Sequence, residues 1–80
     1  MIVSHRCFIS GRVQGVYFRV STHDKAAELG VTAQATNLAD GRVQVSIQGE
    51  SAKVALLKQW LWEGPPLARV DNVECTEVTG

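Results

Sequence analysis

The spacing of apolar residues switches repeatedly between period two and helical period, and the order of these switches constrains the fold of this 80-residue chain. Each switch is marked by glycine, proline or an Asp-Gly pair. In order, the predicted elements are a strand over Ile2–Ser10, a helix over Phe18–Leu29, a weak strand over Val31–Asn37, a strand over Val43–Ile47, a helix from Ser51 that ends before Gly64, and a partly exposed strand over Arg69–Val78.

The element order β-α-β-β-α-β predicts an α+β fold of the ferredoxin-like, split β-α-β type. Right-handed crossovers interleave the two halves into a four-stranded antiparallel sheet with both helices on one face. A chain this short supports one small core, so residues 1–80 are expected to form a single domain.

The sequence predicts one position for the C-terminal end of the first helix but two positions for its N-terminal end. Gly30 follows Leu29 as a C-terminal cap. At the other end, Ser21 and Asp24 mimic a capping box and would start the helix late, whereas apolar spacing starts it near Phe18. We prefer the earlier start.

Net charge and composition limit which binding partners and which cellular compartment are expected. Eight basic and eight acidic residues give a net charge of zero, which argues against long-range attraction to nucleic acid or an anionic membrane. No apolar run approaches the roughly 20 residues of a membrane span, so a cytoplasmic protein is expected. The cysteines, Cys7 and Cys75, are expected to be reduced core thiols, although the topology puts their strands side by side and leaves a disulfide open.

The segment between the first strand and the first helix has the composition of an anion site. Glycines Gly11 and Gly15 allow backbone N–H groups to point inward, and the helix dipole and Arg19 add positive charge. Arg19 has the planar, bidentate geometry that suits phosphate oxygens. The alternative is a tight turn beside a solvated arginine.

A larger set of residues resembles the acylphosphatase family over nearly the whole chain. The set comprises Gly11-Arg12-Val13-Gln14-Gly15-Val16-Tyr17-Phe18-Arg19, Asn37, Asp40-Gly41, Trp60-Leu61 and Gly64-Pro65. The resemblance implies the split β-α-β fold and hydrolysis of carboxyl-phosphate bonds without a metal or other cofactor. Leu38 and the Ala33-Gln34-Ala35 strand depart from the family pattern.

The same resemblance implies roles for particular residues. Arg19 would be the catalytic, phosphate-binding arginine and Asn37 would position the attacking water. The phosphate-binding loop would consist of Gly11, Arg12, Val13, Gln14, Gly15 and Val16. The implied ligands are a small acyl phosphate and inorganic phosphate, which is both product and competitive inhibitor, and the expected state is a monomer that binds neither nucleic acid nor membrane.

Other interpretations concern both the whole domain and single residues. A non-catalytic anion- or RNA-binding module of the same topology is the main alternative, and a carbamoyl-phosphate-handling domain of a larger enzyme is a third. His5 and His23 are expected at the surface and Trp60 and Trp62 in packing roles. Thr22 is compatible either with supporting the site or with core packing.

Overall fold

The structure, a computed structural model, describes residues 1–78, so the last two residues of the predicted domain lie outside that range. All six predicted elements are present in the predicted order. They are β1 (Ile2–Arg12), α1 (Phe18–Leu29), β2 (Thr32–Asn37), β3 (Val43–Glu50), α2 (Ser51–Leu61) and β4 (Arg69–Glu77).

The strands form one antiparallel sheet in the order β2-β3-β1-β4. The first strand, β1, is therefore central and pairs with both β3 and β4. On β1, Cys7 pairs with Val45 on one side and Cys75 on the other. The predicted ferredoxin-like topology, including the adjacent first and last strands, is confirmed.

One face of the sheet holds the core, because side chains alternate along each strand. Cys7, Ile9 and three residues of β3 are buried beneath the two helices. The helices contribute these buried side chains: Phe18, Thr22 and Ala26 from α1, and Val54, Leu57 and Leu61 from α2. The opposite sheet face carries polar or half-buried residues such as Phe8, Gln44 and Ser46. Both helices therefore cover the same face, as predicted.

The bounds of the two helices test the predicted helix ends. Helix α1 begins at Phe18, the earlier of the two predicted starts, and Gly30 caps its other end with φ 77°. Helix α2 begins at Ser51, as predicted, and the Ser51 backbone N–H donates to the Met1 carbonyl at 2.9 Å. Met1, the residue before β1, thus supplies an acceptor for this helix N-terminus.

The two cysteines depart from the sequence prediction. Cys7 and Cys75 are joined by a disulfide, with their α-carbons 4.0 Å apart, so the prediction of two reduced thiols is wrong. The physical reason is register: antiparallel pairing of β1 with β4 puts the two residues directly opposite each other, and both face the core.

Several single-residue predictions can also be judged. Trp60 packs against Phe18, with ring centroids 6.0 Å apart, whereas Trp62 is 52 % exposed because it lies beyond the buried face of α2. His23 is exposed as predicted, but His5 is half-buried within β1. Thr22 is fully buried and its hydroxyl donates to the Phe18 carbonyl at 2.8 Å, which favours the core-packing interpretation.

No helix in residues 1–78 is long and apolar enough to cross a membrane.

Candidate active site

The predicted phosphate-binding segment, here the glycine loop (Gly11–Val16), begins at an irregularity in β1. The pairing of β1 with β4 shifts register between Ser10 and Gly11, and Gly11 has φ +125°. A Cβ atom there would collide with the Arg69 carbonyl oxygen. Only glycine permits this close approach, which turns the chain away from the sheet and toward α1.

A recess of about 300 Å³ lies where the glycine loop meets the start of α1 and the end of β2. It is lined by Val13, Gly15, Tyr17, Phe18, Arg19, Val20 and Asn37. Arg19 is in the first turn of α1, and Asn37 is the last residue of β2, paired with Val43. The fold therefore brings the two predicted catalytic residues, 18 positions apart in the chain, into one recess.

The N-terminus of α1 contributes positive charge to this recess. The first-turn N–H groups of a helix lack intrahelical acceptors, and the helix dipole makes this end attractive to anions. The first turn carries no acidic residue, and the N-cap, Tyr17, makes no side-chain capping bond. Tyr17 has φ 63°, a left-handed conformation that is uncommon for an aromatic residue. Such strain is concentrated at functional sites.

Arg19 is the one charged side chain that lines the recess within residues 1–78. The ion pairs of the described residues lie elsewhere, as in Lys25 with Glu28 and Arg42 with Asp40. No carboxylate competes for the Arg19 guanidinium there, so it is available to an anionic ligand. Among the described residues, no three His, Cys, Asp or Glu side chains cluster closely enough to hold a metal ion.

Asn37 leads directly into a compact hairpin turn, residues 38–42. The Leu38 N–H donates to the Arg42 carbonyl at 2.8 Å, and the Gly41 N–H donates to the Leu38 carbonyl at 3.2 Å. The Asp40 carboxylate accepts hydrogen bonds from the Arg42 backbone N–H at 3.0 Å and its guanidinium at 2.8 Å. These two donors, the backbone one foremost, lower the pKa of Asp40 below its ordinary value.

The side chain of Gln14 reaches from the glycine loop to this hairpin turn. Its Nε2 atom donates to the carbonyl oxygens of Leu38, at 2.8 Å, and Arg42, at 3.0 Å. The Gln14 side chain is therefore committed to the hairpin turn, which leaves its backbone N–H as the group that a phosphate could use.

The remaining residues of the predicted loop have different surroundings. Val13 and Val16 are buried in the core and anchor the loop, whereas the Arg12 side chain is exposed. Val13 and Gly15 line the recess, while Gly11, Arg12, Gln14 and Val16 do not. Two of the six residues of the glycine loop therefore line the recess directly.

Three residues of the recess, the buried Phe18 and the exposed Tyr17 and Val20, are not among the site residues predicted from the sequence. Tyr17 is 73 % exposed and Val20 is 58 % exposed, and both line the recess. A signal was available: neither residue belongs to the buried series Phe18, Thr22 and Ala26, so apolar side chains at these positions had no predicted partner.

Comparisons with known proteins identify the family of this chain. The sequence profile of the acylphosphatase family matches residues 5–80. The chain belongs to the acylphosphatase family. An acylphosphatase of Nitrosococcus oceani is 55 % identical over 74 residues, which are 92 % of this chain and 83 % of that protein. Membership of this family identifies the chain as an enzyme, a hydrolase of the acylphosphatase class.

Solved structures extend the acylphosphatase comparison to the fold. An acylphosphatase from Coxiella burnetii superposes with a TM-score of 0.93 at 42 % identity, covering 98 % of this chain and 82 % of that one. HypF from T. kodakarensis matches with a TM-score of 0.84 at 28 % identity, covering 98 % of this chain but 10 % of that one. The same fold thus occurs both as a small acylphosphatase and as a minor part of a larger protein.

Proposed function

We propose that this acylphosphatase hydrolyses the carboxyl-phosphate bond of small acyl phosphates without a metal ion. Arg19 and the glycine loop hold the phosphoryl group, and Asn37 positions the attacking water. The single observation that supports these roles is the recess shared by Arg19, Asn37 and Gly15 at the N-terminus of α1.

The chemistry of the substrate explains why so few side chains suffice. A carboxylate is a good leaving group and needs little help from a general acid. The site must therefore mainly hold the phosphoryl group, stabilise its charge and direct water in line with the breaking bond. Arg19 and backbone N–H groups meet the first two needs, because preorganised donors stabilise charge on the equatorial oxygens.

Asn37 meets the third need. Its side-chain carbonyl accepts a hydrogen bond from water while its amide donates elsewhere, so it can orient the nucleophile without taking a proton. Water attacks phosphorus, the bond from phosphorus to the carboxyl oxygen breaks, and a phosphate oxygen receives the proton of the water. The balanced products are a carboxylate and dihydrogen phosphate.

The proposal includes the ligands and state of the enzyme. Inorganic phosphate occupies the phosphoryl position and competes with substrate. The enzyme acts as a cytoplasmic monomer, without a nucleic acid or membrane partner.

Phosphate release from benzoyl phosphate, measured with and without EDTA, tests this function. Equal rates in both conditions are expected, together with competitive inhibition by inorganic phosphate. Turnover that EDTA abolishes would contradict a metal-independent reaction. Phosphate binding without turnover would instead favour the non-catalytic binding module.

A further inference from the structure

Two carbonyl groups of the hairpin turn each receive two hydrogen bonds. The Leu38 carbonyl accepts from the Gly41 N–H at 3.2 Å and from the Gln14 amide at 2.8 Å. The Arg42 carbonyl accepts from the Leu38 N–H at 2.8 Å and from the Gln14 amide at 3.0 Å. Gln14 thus supplies the second donor to both carbonyls. Its single carboxamide nitrogen donates to the acceptors of both backbone hydrogen bonds that close the hairpin turn.

This amide joins two segments that are distant in sequence. Gln14 lies 24 residues from Leu38 and 28 from Arg42. Among the described residues, no other side chain makes a hydrogen bond between the glycine loop and the hairpin turn. The Gln14 side chain is half-buried, which strengthens both bonds relative to exposed ones and raises the cost of leaving the carbonyls with fewer donors.

The two segments are not held equally by the rest of the fold. The glycine loop continues from the central strand β1, is anchored by the buried Val13 and Val16, and leads into α1. Asn37 ends β2, an edge strand that pairs only with β3. Of the two catalytic elements, the end of β2 is therefore the one that depends most on an added attachment.

We propose that Gln14 is a positioning residue that sets the place of Asn37 relative to the phosphate held by the glycine loop. This inference rests on the proposed function, because it needs Asn37 to orient the attacking water. Gln14 acts through the backbone of the hairpin turn, one residue beyond Asn37, and does not touch the reacting atoms with its side chain.

The consequence for kinetics follows from which element moves. Without the Gln14 amide, the glycine loop and Arg19 keep their own supports, so the affinity for inorganic phosphate is retained. Asn37 loses its fixed position, and a displacement of about 1 Å can cost up to roughly 100-fold in rate. The loss therefore appears in kcat and not in phosphate inhibition.

Gln14→Met tests this separation, because methionine keeps the length of the side chain and removes both N–H donors. We expect kcat to fall by about 10- to 100-fold, with the phosphate inhibition constant changed by less than about twofold. Gln48→Met, on the exposed face of β3, is the matched control and should leave kcat unchanged. An unchanged kcat in Gln14→Met, or a large loss of phosphate inhibition, would overturn the inference.

A double-mutant cycle with Asn37→Ala separates positioning from a general loss of structure. Once Asn37 has been removed, Gln14→Met should lower kcat by less than about twofold, because there is no amide left to position. Equal effects of Gln14→Met in both backgrounds would refute the coupling. If Asn37→Ala itself keeps full kcat, the proposed role of Asn37 fails and this inference fails with it. A full kcat in Gln14→Met beside an impaired Asn37→Ala overturns only the inference.

A measurement on the unmodified enzyme covers the case in which Gln14→Met does not fold. In a 15N NMR spectrum, both side-chain N–H protons of Gln14 should exchange with solvent more slowly than those of the exposed Gln48. Side-chain exchange of Gln14 as fast as that of Gln48 would contradict the two hydrogen bonds from Gln14 to the hairpin turn and overturn the inference.

Discussion

The α-carbon of Gly11 faces the backbone of Arg69 so closely that no Cβ atom fits between them. A Cβ on Gly11 would meet the Arg69 carbonyl oxygen and lie 2.8 Å from the backbone nitrogen of Asp71. Both neighbours are backbone atoms of β4 and cannot rotate aside. This contact fixes where β1 leaves the sheet, and therefore where the glycine loop begins.

Gly11→Ala should consequently destabilise the protein by about 3 kcal/mol or more, since it combines left-handed strain with a backbone collision. Gly41→Ala is the matched control: Gly41 also has positive φ, at +95°, but a Cβ there would meet nothing within 4 Å. Denaturant unfolding of both variants isolates the collision. Equal losses of stability would show that the approach to β4 is relaxed in solution.

Replacing Arg19 should nearly abolish turnover. An arginine that stabilises a phosphoryl transition state contributes about 10³- to 10⁵-fold in rate, so Arg19→Gln should lose that factor and also bind inorganic phosphate more weakly. Arg6→Gln, on the opposite face of the sheet, serves as the control for loss of a positive charge. Normal kinetics in folded Arg19→Gln would remove this residue from the mechanism.

Replacing Asn37 should affect catalysis without affecting phosphate binding. Loss of one preorganised polar group lowers kcat by roughly 10²- to 10³-fold, so Asn37→Ala should show this fall with an unchanged phosphate inhibition constant. Thr36→Ala, one residue earlier and exposed on β2, controls for a general weakening of the strand. A lowered unfolding midpoint with full kcat would mean that Asn37 only terminates β2.

The disulfide predicts a large effect of reduction on stability. Cys7 and Cys75 are 68 residues apart, and closing a loop of that size stabilises a fold by about 4 kcal/mol in the chain-entropy model. A reductant should lower the free energy of unfolding by that order, while a Cys7→Ala/Cys75→Ala variant should not respond to it. Thiol titration of denatured protein from freshly lysed cells provides the direct check. Two free thiols would contradict the bond in that compartment.

Asp40 should titrate below its ordinary pKa of 3.8, because the Arg42 backbone N–H and then its guanidinium stabilise the carboxylate. A folded-state pKa below the unfolded value stabilises the protein above the unfolded pKa, and the effect is lost as pH falls through the folded pKa. The hairpin turn should therefore be insensitive to pH near neutrality and loosen only in acid. NMR titration of the Asp40 carboxyl measures this directly, and a midpoint at or above 3.8 would contradict it.

Local sequence patterns determined the order of the elements and much of the sheet. Period-two and helical spacings report which side of an element is buried, and Gly30 reports a helix end, because each depends on neighbours within a few residues. The resemblance to acylphosphatases, carried by the motif from Gly11 to Arg19 together with Asn37, likewise predicts a single site.

Only the tertiary structure decided which distant groups meet. The Cys7–Cys75 bond depends on strand register. The two hydrogen bonds from Gln14 depend on how closely the glycine loop approaches the hairpin turn. Tyr17, just before α1, is exposed and has a left-handed backbone. Such pairings are set by how whole elements pack against each other, so the local spacing of residues does not predict them. The sequence identified the candidate residues, and only the packed fold showed which of them are in contact.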